Sequence, residues 1–386
     1  MRLGFNYPWS RNSYSGDFGP DFNVSASEWY ANNQLETKGN LAAIPLHKLF
    51  EFLPQNLRDL RGLGISVVRW FILGNGNAYG PPPTPVPALP TAAPGIAGAP
   101  DISPGDWSFT PPSVLDKRFR RDFAAVLAAF KNADMQLIPS LIDFKFGSNL
   151  YAGPNVNGTF YGGRADVMRD ITKRGVFLDT VLAELLAASK DFAGQIYAWE
   201  VINEPFWLCH QFGELSGNPP FSRTPEVSID QMKTFLIEAT KRIEAAGFPS
   251  TVGHRYFSDL SVLPSGSTRQ FHYYAKRPFP GYSDPSGIKD QHLFTISPIP
   301  VLGEFDSDLN LHSNPWPDLK GGDTTLARLR LLESVGCRLA LIWPDLPDSD
   351  PVILSKDIIK LSEKTRMEIA AFTHGVLPPP DRKAPH

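Results

Sequence analysis

The chain is poor in cysteine: two, Cys209 and Cys337, in 386 residues. A disulfide framework is therefore excluded, and two free thiols are the simpler reading. It also lacks a dominant charge. Lys and Arg number 37 and Asp and Glu 40, for a net charge of −3, so no basic field draws nucleic acid. No apolar run nears the roughly 20 residues that span a bilayer, so no membrane partner is expected. The start, MRLGFNYPWS, has no charged head before an apolar stretch and does not read as a signal peptide. The expected location is cytoplasmic, or secreted with the leader already removed. Histidines are few and scattered (8), with no His-Glu-x-x-His metal motif, no Gly-x-Ser-x-Gly elbow and no phosphate-binding glycine loop. Neither a metal nor a cofactor is expected.

What the chain has is hydrophobic residues (42%) and aromatics (12%, with 8 Trp), enough for a large core and for flat rings on which sugars stack. Short apolar runs alternate with amphipathic stretches, a rhythm of βα units around a parallel sheet. The expected strands run from Leu3 to Tyr7, Ile65 to Phe71, Met135 to Ile142, Ile196 to Asn203, Thr251 to His254, Gln270 to Tyr273, Val301 to Phe305 and Leu339 to Trp343. Most are apolar on both faces, as strands covered by helices are. Period-3.6 spacing predicts helices over Leu46–Leu63, Pro112–Ala133, Arg164–Phe192, Ile229–Ala246, Thr324–Val335 and Asp357–His374. Several are followed by glycine (Gly62 or Gly64, Gly194, Gly247, Gly336, Gly375), a helix-ending signal. The fold class is thus α/β, a (β/α)8 TIM barrel, in a single catalytic domain over 1–375 with a tail at 376–386. Residues 80–105, rich in proline, read as a long loop after strand 2 on the catalytic face. Such a loop would block one side of a cleft and favour short substrates.

Two strand ends carry carboxylates. The run Trp199 to Pro205, WEVINEP, ends its strand at Asn203-Glu204-Pro205, and PVLGEF places Glu304 at the end of another apolar strand. Their separation, 304 − 204 = 100 residues, matches three βα units of about 30 residues each. Strand ends facing each other across a barrel could hold two carboxyls at the spacing that glycoside chemistry requires. Glu200 lies four residues before Glu204, on the same inward face by alternation, and is expected to be buried and paired rather than catalytic.

The Asn-Glu-Pro end of strand 4 resembles the acid/base motif of clan A glycoside hydrolases, the group that holds the family 5 cellulases and mannanases. The resemblance implies Glu204 as acid/base and Glu304 as nucleophile in a retaining double displacement. It extends to Arg69, matching the arginine that keeps the nucleophile ionised, and Asn203, matching the residue that bonds the sugar 2-hydroxyl. His272 and Tyr274 match the His-x-Tyr of strand 6, with the tyrosine orienting the nucleophile. Trp343 matches the platform under the sugar. One departure stands out: where the clan often has a histidine after strand 3, this chain reads Asp143-Phe144-Lys145. Asp143, Tyr7, Trp9, Trp70, Phe206 and Trp207, all near strand C-termini, are candidate sugar contacts, with Asn6 and His210 as further polar ones. The implied partner is an oligo- or polysaccharide or another β-glycoside. A transglycosylase with the same machinery and a silent glycan-binding barrel remain open alternatives.

Overall fold

A computed structural model describes residues 1–7, 49–74, 117–148, 153–154, 160–161, 163–209, 225–273, 299–307, 316, 319, 322–344 and 361–375. The 80–105 segment, the 376–386 tail, Trp9, His210 and Tyr274 lie outside them. Eight strands form one parallel sheet: β1 (Arg2–Asn6), β2 (Ile65–Phe71), β3 (Gln136–Asp143), β4 (Trp199–Asn203), β5 (Ser250–Gly253), β6 (Gln270–Tyr273), β7 (Val301–Asp306) and β8 (Leu339–Trp343). Their order is β5-β4-β3-β2-β1-β8-β7-β6. The two ends of that order meet through parallel bridges Thr251–Thr268 and His254–Phe271. The Thr268 N–H donates to the Ser250 carbonyl (2.9 Å) and the His272 N–H to the His254 carbonyl (2.7 Å). The sheet therefore curls into a (β/α)8 barrel.

Helices α1 (Leu49–Gly62), α2 (Lys117–Asn132), α3 (Ile229–Ala245), α4 (Thr325–Ser334) and α5 (Glu363–His374) surround it. Local chemistry fixes the starts of three of them. Ser228 and Gln231 form a reciprocal capping box at α3, Thr324 caps α4 through the Ala327 N–H, and Ser362 caps α5 through the Thr365 N–H. Left-handed glycines follow four of the helices, as at Gly375 (φ 68°) after α5, whereas Gly194 lies inside a 3-10 turn. The strands' apolar side chains are buried almost throughout, in one core between sheet and helices and a smaller barrel-interior cluster of Val67, Ile138, Val301, Leu339 and Leu341.

Two expectations need correction. The predicted single helix over Arg164–Phe192 is instead a chain of short segments. Asp170 breaks it, with extended backbone (φ −93°, ψ 123°), because its side chain accepts from the Thr172 and Lys173 N–H groups and caps the next turn. A π-helical turn follows at Phe177–Leu182. The fourth strand starts at Trp199, not Ile196. Pro139 stands in the middle of β3 with no N–H to offer, and the β3–β4 ladder is broken there: Leu137–Ile196 is an isolated bridge, and regular pairing resumes at Ser140–Glu200. Cys209 and Cys337 are free and buried, and burial pushes both thiols up to about 12. Among the described residues, no helix is long and apolar enough to cross a membrane.

Candidate active site

The carboxylates are aimed by two irregularities in the sheet. Between β4 and β5 the register runs Glu200–Thr251 and then Asn203–Gly253, so β4 carries one extra residue. Between β6 and β7 it runs Phe271–Leu302 and then His272–Glu304, an extra residue on β7 at Gly303. Such bulges re-aim side chains and are frequent beside active sites. The first brings Asn203 to the same inward side as Glu200, which strict alternation does not allow. The second turns Glu304 inward. Gly303 is needed there, since a Cβ would sit 2.7 Å from the Gln270 amide nitrogen. Glu204 itself has φ 48°, a left-handed conformation costly for a side-chain-bearing residue and doubly unusual before a proline. Strain of this kind collects at functional sites.

Arg69 organises the interior. Its five N–H donors meet five acceptors: Nε and Nη2 grip the two oxygens of Glu200 (2.6 Å each), Nη2 also reaches Asn203 Oδ1 (2.7 Å), and Nη1 reaches Asn6 Oδ1 (3.0 Å) and Glu304 Oε1 (2.7 Å). Burial alone would push the guanidinium toward losing its proton, but Glu200 and Glu304 outweigh that and hold it charged. Glu200 is fully buried, and burial pushes its carboxyl up. Attraction and hydrogen bonding to Arg69, with a bond from Ser140 Oγ (2.6 Å), reverse this and hold it below the ordinary range. It is thus the buried, paired carboxylate expected. Gly253 makes room for it, since a Cβ there would lie 3.0 Å from Glu200 Oε1.

Glu204 is held differently. Oε1 lies 2.9 Å from His272 Nδ1, and Oε2 accepts from Trp207 Nε1 at 2.7 Å. The same His272 nitrogen lies 3.5 Å from Glu304 Oε2. Among the described residues, no hydrogen-bond partner faces His272 Nε2. Glu204, His272 and Glu304 bring ligand atoms within 4.8 Å of one another, a spacing that a cation could also span. Both carboxylates are already engaged by protein donors, which suits proton and sugar chemistry better than metal ligation.

The structure thus brings together Arg69, Asn203, Glu204, His272 and Glu304. Trp343 ends β8 with its side chain only partly buried, opposite Asp306 in register. Tyr7 and Trp70 do not join the site. Arg69 faces inward, so its strand neighbour Trp70 faces the helices. There it packs edge-on against Tyr7 (4.9 Å between rings), whose hydroxyl accepts from Asn56 of α1 (3.3 Å). Asn6 does not point to substrate either: its amide donates to the Gly303 carbonyl (3.0 Å) and ties β1 to the β7 bulge. Phe206 is buried in the main core. Asp143, fully buried, accepts from Asn203 Nδ2 (2.7 Å) and from the Lys145 N–H (2.9 Å), so it braces Asn203 from behind. The sequence reading missed Ser140 and Gln270, polar side chains in apolar barrel strands, and the pair Arg255–Asp259 after β5. An i,i+4 cation–carboxylate spacing was the signal for the last.

Burial pushes Asp143 up to about 6, aided by Glu204 and opposed by Lys145 and the bond from Asn203. Its ordinary value is 3.8, so between about pH 4 and 6 the folded state holds a proton that the unfolded chain has released. This group therefore favours folding most below pH 4 and loses that contribution as pH rises through 6. In urea denaturation of wild type against Asp143→Asn, the wild type is expected to lose stability relative to the variant by up to about 3 kcal/mol between pH 4 and 7. A constant difference across that range contradicts the assignment.

No family model matches the chain, and no curated protein does. Solved structures do. The chain resembles the β-mannanase from the blue mussel Mytilus edulis (17% identity, 97% of this chain and 92% of that one, TM-score 0.56). It is similar also to the endo-1,4-β-mannanase from Eisenia fetida (15%, 96% and 90%, TM-score 0.55). A third match is a glycoside hydrolase family 5 enzyme from Prevotella bryantii B14 (11%, 97% and 95%, TM-score 0.53). The chain shares its fold with the family 5 glycosidases. Likeness to these neighbours extends over nearly the whole of both chains, so the barrel matches as a unit rather than through a shared fragment.

Proposed function

We propose that the protein is a retaining β-glycoside hydrolase, with Glu304 as nucleophile and Glu204 as acid/base. The observation that carries this reading is the paired placement of the two carboxyls. Their nearest oxygens fall within 4.8 Å. So close an approach favours the short carboxyl separation of double displacement, about 5–5.5 Å, over the wider separation of roughly 6.5–9.5 Å in inverting enzymes. Their surroundings divide the roles. Arg69 donates directly to Glu304, a fixed cation for the carboxylate that must attack ionised. Glu204 instead accepts from the Trp207 indole N–H and lies beside the His272 imidazole.

In the first step Glu304 attacks the anomeric carbon, the C–O bond breaks, and Glu204 gives its proton to the departing oxygen. In the second, Glu204 takes a proton from water, which attacks the same carbon and releases Glu304. Asn203, held by Arg69 and Asp143, keeps an amide N–H for the sugar 2-hydroxyl, a contact that tightens in the transition state. Trp343, at the end of β8 and only partly buried, is the proposed platform under the sugar.

The substrates tested first are β-mannosides and β-1,4-mannans, since mannanases stand among the fold's relatives. A panel of aryl β-glycosides alongside polysaccharides identifies the sugar. Proton NMR during turnover is expected to show the β-anomer released before mutarotation. First release of the α-anomer contradicts retention, and turnover only when a sugar acceptor is present favours transglycosylation.

A further inference from the structure

Trp207 lies three residues after Glu204, in the helical turn Phe206–Cys209 that follows β4. The residue is 8% exposed, too enclosed for a sugar platform. Its one polar atom is spent on Glu204, with Nε1 donating to Oε2 over 2.7 Å. An indole N–H only donates. It cannot exchange roles as a hydroxyl or imidazole can, so it always favours the unprotonated form of the oxygen it faces.

The indole is itself gripped. The Arg255 guanidinium carbon lies 4.7 Å from the Trp207 ring centre, 4.7 Å from that of Phe206 and 5.0 Å from that of Tyr256. Arg255 is in turn held by Asp259, Nε to Oδ2 at 3.1 Å, with both side chains buried. A cation against the face of an indole is attracted by its ring electrons and draws density from the ring, which strengthens the N–H as a donor. Asp259, Arg255, Trp207 and Glu204 thus form one chain of contacts from the loop after β5 to the end of β4.

We infer that Trp207, clamped by Arg255 and Asp259, is a positioning residue for proton donation by Glu204, fixing its carboxyl and stabilising the carboxylate left when the proton goes to the leaving oxygen. This rests on the proposed acid/base role of Glu204. No proton passes to the indole; it moves from Glu204 to the glycosidic oxygen as the C–O electron pair goes to that oxygen.

The consequence is a dependence on the leaving group. A dinitrophenolate departs with little protonation, whereas a sugar or plain phenol needs the proton. Trp207→Phe keeps a ring against Arg255 and removes the N–H. Should it fold poorly, the sulfur-for-NH analogue benzothienylalanine at 207 removes the donor without changing shape. Measured as kcat/KM over a series of aryl β-glycosides, either variant is expected to lose about 10- to 100-fold on phenyl glycosides and only a few fold on the dinitrophenyl glycoside, part of the 10²–10⁴ that a general acid contributes. Equal losses across the series, or none, overturn the inference. Glu204→Gln in the same series separates the two claims. If it shows steep leaving-group dependence while the Trp207 variants do not, the acid/base assignment stands and the Trp207 role falls. If Glu204→Gln shows none, both fall.

Discussion

Glu304→Ala is expected to abolish turnover of every β-glycoside the wild type accepts, a loss on the order of 10⁴-fold or more in kcat, equivalent to at least about 5 kcal/mol of barrier. On the proposed mechanism the side chain removed is the one that would form the bond to the anomeric carbon, and two nearby buried carboxylates are committed elsewhere. Glu200 is gripped at both oxygens by Arg69 and fully buried, and Asp143 is enclosed beside Asn203. Azide, small enough to enter the space left, should restore turnover of an activated substrate and give a glycosyl azide of inverted configuration. Glu204→Ala is expected to behave differently. Hydrolysis of poor leaving groups falls steeply, an activated substrate still reaches the covalent intermediate, and azide gives product of retained configuration. Opposite stereochemistry in the two variants follows from their different roles. Rescue with the same configuration in both would reverse or remove the assignment.

Arg69 carries the second large effect. Its bonds reach both Glu200 and Glu304, and all five of its N–H groups are used. Arg69→Met leaves two buried carboxylates facing each other across the barrel without that charge. Breaking a buried ion pair from one side costs about 3–5 kcal/mol, a large share of the 5–15 kcal/mol that holds an ordinary domain. Reduced soluble yield and a lowered melting temperature are expected, with activity lost in whatever folds. Arg69→Lys separates the causes: its single charged nitrogen keeps the net charge but cannot grip both oxygens of Glu200 while reaching Asn203, Asn6 and Glu304. It should fold, with activity down by about 10²-fold or more. A stable, active Arg69→Met protein, assayed by thermal melting and turnover, contradicts this picture of the interior.

Much of this was legible in the chain. Parallel barrel strands are covered on both faces, so they read as short apolar runs, and three of the eight, Ile65–Phe71, Gln270–Tyr273 and Leu339–Trp343, have the bounds expected from sequence. Carboxylates at the ends of such runs stand out for the same reason, which made Glu204 and Glu304 visible before any geometry. The errors also have physical causes. Tyr7 and Trp70 look like sugar contacts because they are aromatic and near strand ends. Alternation from Arg69 puts Trp70 on the helix side, and the same rule could have removed it. Alternation fails in the other direction at Asn203, where a bulge adds a residue that no sequence pattern announces. The Arg255–Asp259 clamp on Trp207 joins side chains from different loops, so only the fold reveals it.

The assignment of Glu304 as the nucleophile is tested most directly by trapping. A 2-deoxy-2-fluoro-β-glycoside with an activated leaving group, of whichever configuration the enzyme turns over, slows both steps but allows the first to run ahead. Intact-protein mass spectrometry should show one fluoroglycosyl group added, and peptide mapping should place it on Glu304. An adduct on Glu204 or any other residue, or an enzyme that hydrolyses the parent glycoside yet gives the inverted product and no adduct, would contradict it.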